Sequence, residues 1–243
     1  MFPGIGTVIN VVAIVSGGAL GVILGGKFSE KTRHLITDIL GLITLVSGAS
    51  AVTALWSGKL TDALPQGWPF MVVLFSLLLG GIFGSALKIE ERLESTGSFL
   101  RTRLERNKSE STFVEGFVAS SLVFAIGPLA ILGSISDGMS NGIDQLVLKS
   151  TLDFFAAIAF AASLGWGVAA SAIPVGVYQG LWTVVGLFLG TILSEYQIDV
   201  MTSVGGILLI GIGLRLLRIR EIAIGNILPA LFIAPLFAYL IAH

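Results

Sequence analysis

Residues 124–138 read FAIGPLAILGSISDG, a run apolar enough for lipid, interrupted by Gly127-Pro128 and closed by Ser134, Ser136 and Asp137. Whether the chain crosses a membrane here sets the direction of every later segment. Pro128 brings no amide hydrogen and its ring obstructs the carbonyl four residues back, so a kink or break is expected near Gly127. Backbone freed from a helix at membrane depth is tolerated only where protein buries it or water reaches it. Two readings follow. Either a broken helix delivers polar groups toward an interior cavity, or a kinked helix ends at the surface with Asp137 in water. The turn formers of GMSNGIDQ, 138–145, come next in both cases.

The flanking sequence is that of a membrane protein. Of 243 residues 54% are hydrophobic and only 12% charged, with a mean hydropathy of +0.94, whereas a soluble domain carries roughly a quarter charged residues. Eight apolar segments can be marked: Gly4–Gly26, Ile39–Trp56, Trp68–Leu87, Phe113–Ile135, Phe154–Ile173, Val175–Leu193, Val200–Leu217 and Ile222–Ala242. Most reach the ~20 residues needed to cross ~30 Å of hydrocarbon. Trp56 and Trp68 flank the second and third, where aromatic belts form. MFPGIGTVIN lacks a positively charged n-region and reads as part of the first span, not as a cleaved signal. With no cysteine there is no disulfide, thiolate metal site or cysteine nucleophile. A net charge of −1 without a basic, aromatic patch gives no reason to expect nucleic acid as a partner.

Basic residues test the crossing number. Lys27, Lys31 and Arg33 follow the first span; Lys88, Arg92, Arg101, Arg103, Arg106 and Lys108 fall in 88–112; Arg215, Arg218 and Arg220 follow the seventh. Eight crossings put all three groups, 12 of the 14 Lys and Arg, on one face, and only Lys59 and Lys149 on the other. The positive-inside bias then makes that face cytoplasmic and leaves both termini outside. The mixed charges of 88–112 read as a solvated cytoplasmic linker with helical turns, or as a docking surface for a partner.

GVILGGKFSEKTRHLITDILGLITLVSG (21–48) resembles GLFLGTILSEYQIDVMTSVGGILLIGIG (186–213). At a constant offset of 165 residues, Gly21, Leu24, Gly25, Ser29, Glu30, Thr37, Gly41 and Gly48 recur as Gly186, Leu189, Gly190, Ser194, Glu195, Thr202, Gly206 and Gly213. An odd number of crossings separates the copies, so they should be oppositely threaded, and their loops agree: Lys31, Arg33 and His34 follow one Ser-Glu, while no basic residue follows the other. Inverted repeats are a building principle of many transporters, though duplication also occurs in proteins that move nothing. Glycines one turn apart, as at Gly17, Gly21 and Gly25, allow close backbone approach. The predicted fold is therefore an all-α membrane protein, one polytopic domain over 1–243. Repeat one covers about 4–56, central spans 68–173 enclose the 88–112 linker, repeat two covers about 175–217, and a final span covers 222–242.

Polar residues inside the spans are the candidate site. Asp144 is expected to cap a helix of about thirty residues, ~44 Å at 1.5 Å per residue, running to Ile173 before Pro174. Lys149 and Asp153 share a face of it. If the helix dips, an ionisable group enters lipid depth and marks an ion or proton path; if it overhangs, the pair is interfacial. Asn10, with Thr7 before it, and Gln179, beside Tyr178, need partners in lipid as interhelical glue or as a lining. Glu115 and Asn226 read as interfacial, Glu30 and Glu195 as structural or vestibule carboxylates.

Enzyme chemistry is not expected. His34 lies in a basic loop and His243 at the C-terminus, so neither supports an intramembrane Ser-His dyad, and no Gly-x-Gly-Asp accompanies Asp137 and Asp153. P-loop, HExxH and GxSxG motifs are absent, and no cofactor or resident metal is expected. With these residues in view, GTVINVVAIVSGGALGVILGGKFSE, AILGSISDG, LKSTLDFF and SLGWGVAASAIPVGVYQG resemble the bacterial membrane proteins grouped as domain of unknown function 554, the YqgA-like family. Phe154 stands where that family usually has glycine after Leu-Asp. The resemblance implies a multispanning inner-membrane protein and brings no established activity; descriptions of the family extend to a sodium channel or pump. The leading expectation is a transporter or channel for a small, Na⁺-like monovalent cation, its path lined by Asn10, Ser134, Asp137, Asp153 and Gln179, with Lys149, Glu30 and Glu195 as secondary candidates. The alternative is a non-transporting scaffold or signalling protein acting through 88–112. Lipid is the expected partner, and assembly of copies around a shared pore stays open.

Overall fold

The computed structural model describes residues 2–104, 110–189 and 193–243. Every regular element among them is helical. In chain order they are α1 (Ile5–Gly25), α2 (Glu30–Val52), a 3₁₀ turn (Thr53–Trp56), α3 (Gly58–Ala63), α4 (Trp68–Ala86), α5 (Ile89–Leu104), α6 (Glu110–Ala125), α7 (Pro128–Gly138), α8 (Asp144–Leu164), α9 (Gly167–Ala170), α10 (Ala172–Leu189), α11 (Glu195–Leu216), α12 (Ile224–Ile227) and α13 (Ala230–Ala242). Among the described residues, seven helices or continuous helix pairs are long and apolar enough to cross a membrane: α1, α2 with α3, α4, α8, α9 with α10, α11, and α12 with α13. The chain divides into two compact units, one of 1–40 and 93–191, the other of 41–92 and 192–243.

In the first unit α1 packs on α8 through its glycine stripe. A Cβ at Gly17 would strike the Phe154 carbonyl, one at Gly21 the Ile158 carbonyl, and one at Gly25 the Ala162 carbonyl. Both numberings rise together in steps of four, so the two helices run parallel. The bent pair α6–α7 runs against α8. Gly116 sits on Leu164 at the C-terminal end of α8, Phe124 meets Phe160 edge to face at 6.2 Å, and Gly133 reaches Leu146 near its N-terminal end. The pair bends by 63° between Ala125 and Leu129. Counted as one broken span it makes eight crossings, and it supplies the third crossing that parallel α1 and α8 require between them. Gly127, at φ 142 and ψ 150, holds the break in a conformation that only glycine adopts readily, with nothing within 4 Å of where its Cβ would be.

The expected long helix from Asp144 to Ile173 is corrected. Asp144 is its first helical residue, with Ile143 in the cap position, and α8 stops at Leu164. Gly165, at φ 79, turns the chain into α9. Pro174 does not end a helix but lies in the first turn of α10, where an amide hydrogen has no intrahelical acceptor to lose. The 88–112 linker is itself helical: α5 covers most of it and α6 begins at Glu110, while 105–109 lie outside the described residues.

In the second unit the latter half of α2 runs antiparallel to α11. Gly41 abuts the Gly213 carbonyl and Gly48 the Gly206 carbonyl. Gly80 and Gly84 of α4 seat Ala230 and the Asn226 carbonyl at the α12–α13 junction. The recurring Ser-Glu has a local cause. Ser29 Oγ accepts from the Thr32 amide at 3.2 Å and Ser194 N donates to Gln197 Oε1 at 2.8 Å, so each pair opens a helix. Thr37 and Thr202 each donate to the carbonyl four residues back, at 3.1 and 2.8 Å. Gly190, in the repeat, and the last residues of the expected sixth span include positions outside those described.

The glycine stripe has a measurable weight. Gly21→Val forces a side chain onto the Ile158 carbonyl, and strain of this kind costs about 1–3 kcal/mol. The thermal unfolding midpoint in detergent should fall for Gly21→Val. It should stay put for Gly180→Ala, where a Cβ meets nothing within 4 Å.

Candidate functional site

Polar side chains of the first unit converge on the N-terminal half of α1. Its first amides have no acceptor within the helix, and Asp137 at the end of α7 takes one of them: Gly6 N donates to Asp137 Oδ2 at 2.9 Å. One residue on, the Thr7 and Thr183 hydroxyls meet at 3.3 Å. A turn further, Asn10 Nδ2 donates to Gln179 Oε1 at 3.2 Å, and Asn10 also faces Asp153. The antiparallel α1–α10 contact makes these pairs, running from Thr7–Thr183 through Asn10–Gln179 to Val11 against Gly176.

On α8, Lys149 Nζ donates to Asp153 Oδ2 at 2.5 Å, and their side chains are only 8% and 10% exposed. An ionic pair buried in an apolar helix is costly to assemble and costlier to break from one side. Asn10 and Gln179 are wholly buried, yet Asn10 Oδ1 and Gln179 Nε2 have no partner. Unpaired buried amide atoms are rare in folded proteins. Here a carboxylate, an ammonium, an unused amide oxygen and an unused amide NH₂ lie together, a set able to hold a small ion or relay a proton.

Of the residues expected to line a path, Asn10, Asp153 and Gln179 come together with Lys149, and Asp137 stands at the start of α1, a turn from Asn10. Ser134 is buried on α7, but its hydroxyl donates to the Ala130 carbonyl at 2.6 Å and is spent within its own helix. Glu30 and Glu195 are exposed, and Glu195 belongs to the second unit. Glu30 pairs with His34 at 3.8 Å and Glu195 with Lys59 at 3.0 Å. Thr183 escaped the sequence reading, since a hydroxyl that can bond its own helix carries no signal in an apolar run. Its partner Thr7 was noted only beside Asn10.

Glu90 in the second unit also escaped it, hidden among linker charges. It is buried, its carboxylate pairs with Arg215 and accepts from Gly225 N at 2.6 Å, and its amide donates to Asn226 Oδ1 at 2.9 Å. Asn226, expected at an interface, is thus a structural ligand. An apolar groove of about 480 Å³ lies beside α1, lined by Val11, Val15, Trp166, Ala169 and Ile173. None of the polar cluster lines it.

A bundle of apolar helices around buried ionisable and amide side chains defines a membrane protein of the polytopic helical class. The chain belongs to the family described as protein of unknown function (DUF554), whose profile matches residues 5–239. It is 27% identical over 236 residues to the uncharacterized membrane protein YdfK of Bacillus subtilis (strain 168), covering 97% of this chain and 96% of that one. It is 29% identical over 233 residues to the uncharacterized protein YqgA of Escherichia coli (strain K12), covering 95% and 94%. No solved structure matches.

The Asp137 contact separates capping from ion binding. Asp137→Ala strands the Gly6 amide and should lower stability by about 1–3 kcal/mol, the range for an orphaned buried donor. Asp137→Asn keeps an acceptor oxygen and should retain most of it. Thermal unfolding in detergent reads the difference.

Proposed function

We propose that this protein moves a small monovalent cation across the bacterial cytoplasmic membrane, as a channel or carrier, along the seam where α1, α8 and α10 meet. The observation that carries this reading is the buried cluster of Asp153, Lys149, Asn10 and Gln179, with amide atoms unused, inside helices that are otherwise apolar. Ionisable groups at such depth mark ion or proton pathways by default. A carboxylate and neutral amide oxygens are suitable ligands for a hard cation. Asp153 supplies charge and Asn10 Oδ1 an unused oxygen, while Gln179 Oε1, which already accepts from Asn10, has a second lone pair to offer. Asp137 has the lesser role of fixing the start of α1.

Inverted repeats would frame this seam, and contacts within each unit support them. Under the offset of 165 residues, Gly4 against Thr183 becomes Ala169 against Gly18, which is also a contact. Val11 against Gly176 maps onto itself, and Gly41 against Gly213 maps onto Gly206 against Gly48. Exchange of this kind is the mark of a two-fold relation, and antiparallel helices put its axis in the membrane plane. The basic loops then face the cytoplasm, with both termini outside.

Two measurements check this reading. Reconstituted wild-type protein should pass Na⁺, K⁺ or Li⁺ into liposomes, and Asp153→Asn should cut the flux by at least about tenfold, the loss expected when a buried ion site gives up its charge; Glu30→Gln should leave it unchanged. The cysteine-free chain also suits single-cysteine labelling. In intact cells a membrane-impermeant maleimide should reach Asp62→Cys, and Lys27→Cys only after permeabilisation.

A further inference from the structure

Resting on the cation path just described, we infer that Lys149 is a tethered cation occupying the transported ion's seat on Asp153, so that each cation entering there is exchanged for one proton. The ammonium sits 2.5 Å from Asp153 Oδ2, one turn away on the same helix. The seat is built for more than that ammonium. Asn10 is wholly buried and its amide NH₂ faces Asp153, while Oδ1 of the same amide has no partner. A fully satisfied structural ion pair would leave no such oxygen idle.

Charge dictates the coupling. A second cation cannot join an ammonium at one buried carboxylate without leaving a net positive charge in a low dielectric. Few other charges face the pair. On α8 only Lys149 and Asp153 are ionisable near this point. From α7 comes Asp137, held by the Gly6 amide. From α1 and α10 come neutral Thr7, Asn10, Gln179 and Thr183; Tyr178, also on α10, is half-buried with its hydroxyl inside. A cation therefore enters as the ammonium releases its proton. One N–H bond breaks, its electron pair stays on Nζ as the amine, the proton leaves to water, and the cation takes the vacated place on Oδ2. The site's net charge is the same before and after, and reprotonation of Lys149 expels the cation again.

Arginine is the discriminating substitution, because a guanidinium preserves the pair but does not give up its proton. In proteoliposomes an imposed pH gradient should drive uptake of Na⁺, K⁺ or Li⁺ into wild type with opposite movement of protons. Uptake should weaken about tenfold per pH unit on the acid side, as one-for-one competition requires. Lys149→Arg should lose flux at least about tenfold. Lys149→Gln leaves Asp153 to take the proton itself and should keep exchange with a displaced pH profile. Cation flux at the wild-type rate in Lys149→Arg, with protons unmoved, overturns the exchange and leaves the cation path standing. No flux of any of the three ions in wild type sinks the path, and the exchange with it. Should Lys149→Arg fail to fold, proton release on adding NaCl to wild type in detergent decides. About one proton per bound cation supports the exchange, and cation binding with no release overturns it.

Discussion

A polar side chain in lipid must find its partner within the protein, and α1 cannot satisfy Asn10 alone. What resolves this is close approach. Because Gly17, Gly21 and Gly25 present no side chains, α8 lays its own backbone carbonyls where those side chains would be. The approach carries Asp153 up to Asn10, while α10 brings Gln179 from the other side. Asp137 then takes the buried Gly6 amide at the head of α1. A larger residue in the stripe would lift α8 away and separate the carboxylate from the amides, so packing and chemistry are one problem here.

Much of this was legible in the chain. The apolar runs announced the helices, because length and hydropathy decide insertion before any tertiary contact exists. The Gly127-Pro128 break was legible because proline acts through its own covalent geometry. Local rules failed where a turn needed no proline: Gly165 ends α8, which the uninterrupted apolar run from Phe154 to Ile173 concealed. Asn10, Asp153 and Gln179 stood out as polar groups in apolar surroundings, yet their meeting depends on register between helices far apart in sequence. Glu90 was lost for the opposite reason. Among many linker charges nothing in the sequence distinguished the one that is buried on Gly225 N.

The two sides of the Val11–Gly176 contact are unlike. Asn10 and Gln179 lie toward the head of α1, whereas the positions they map onto at the repeat offset are Val175 and Ile14, both wholly buried and apolar. The glycine contacts named above pair off at that offset, whereas Asn10 and Gln179 have no amide counterpart there. Asp153 therefore has amide groups beside it toward the head of α1, and apolar side chains lie beyond Val11 and Gly176.

The sequence distance between partners has a consequence for biosynthesis. Asn10 bonds a residue 169 positions later, so α1 enters the membrane long before Gln179 or Asp153 has been translated. With a mean hydropathy of 2.2 its segment is apolar enough to enter lipid on its own composition. For most of the time the ribosome is at work, though, its amide must be held by water, lipid headgroups or the insertion machinery. Assembly of the seam is a late event, completed only when α10 leaves the translocon and closes on a helix that has been waiting since the first residues emerged.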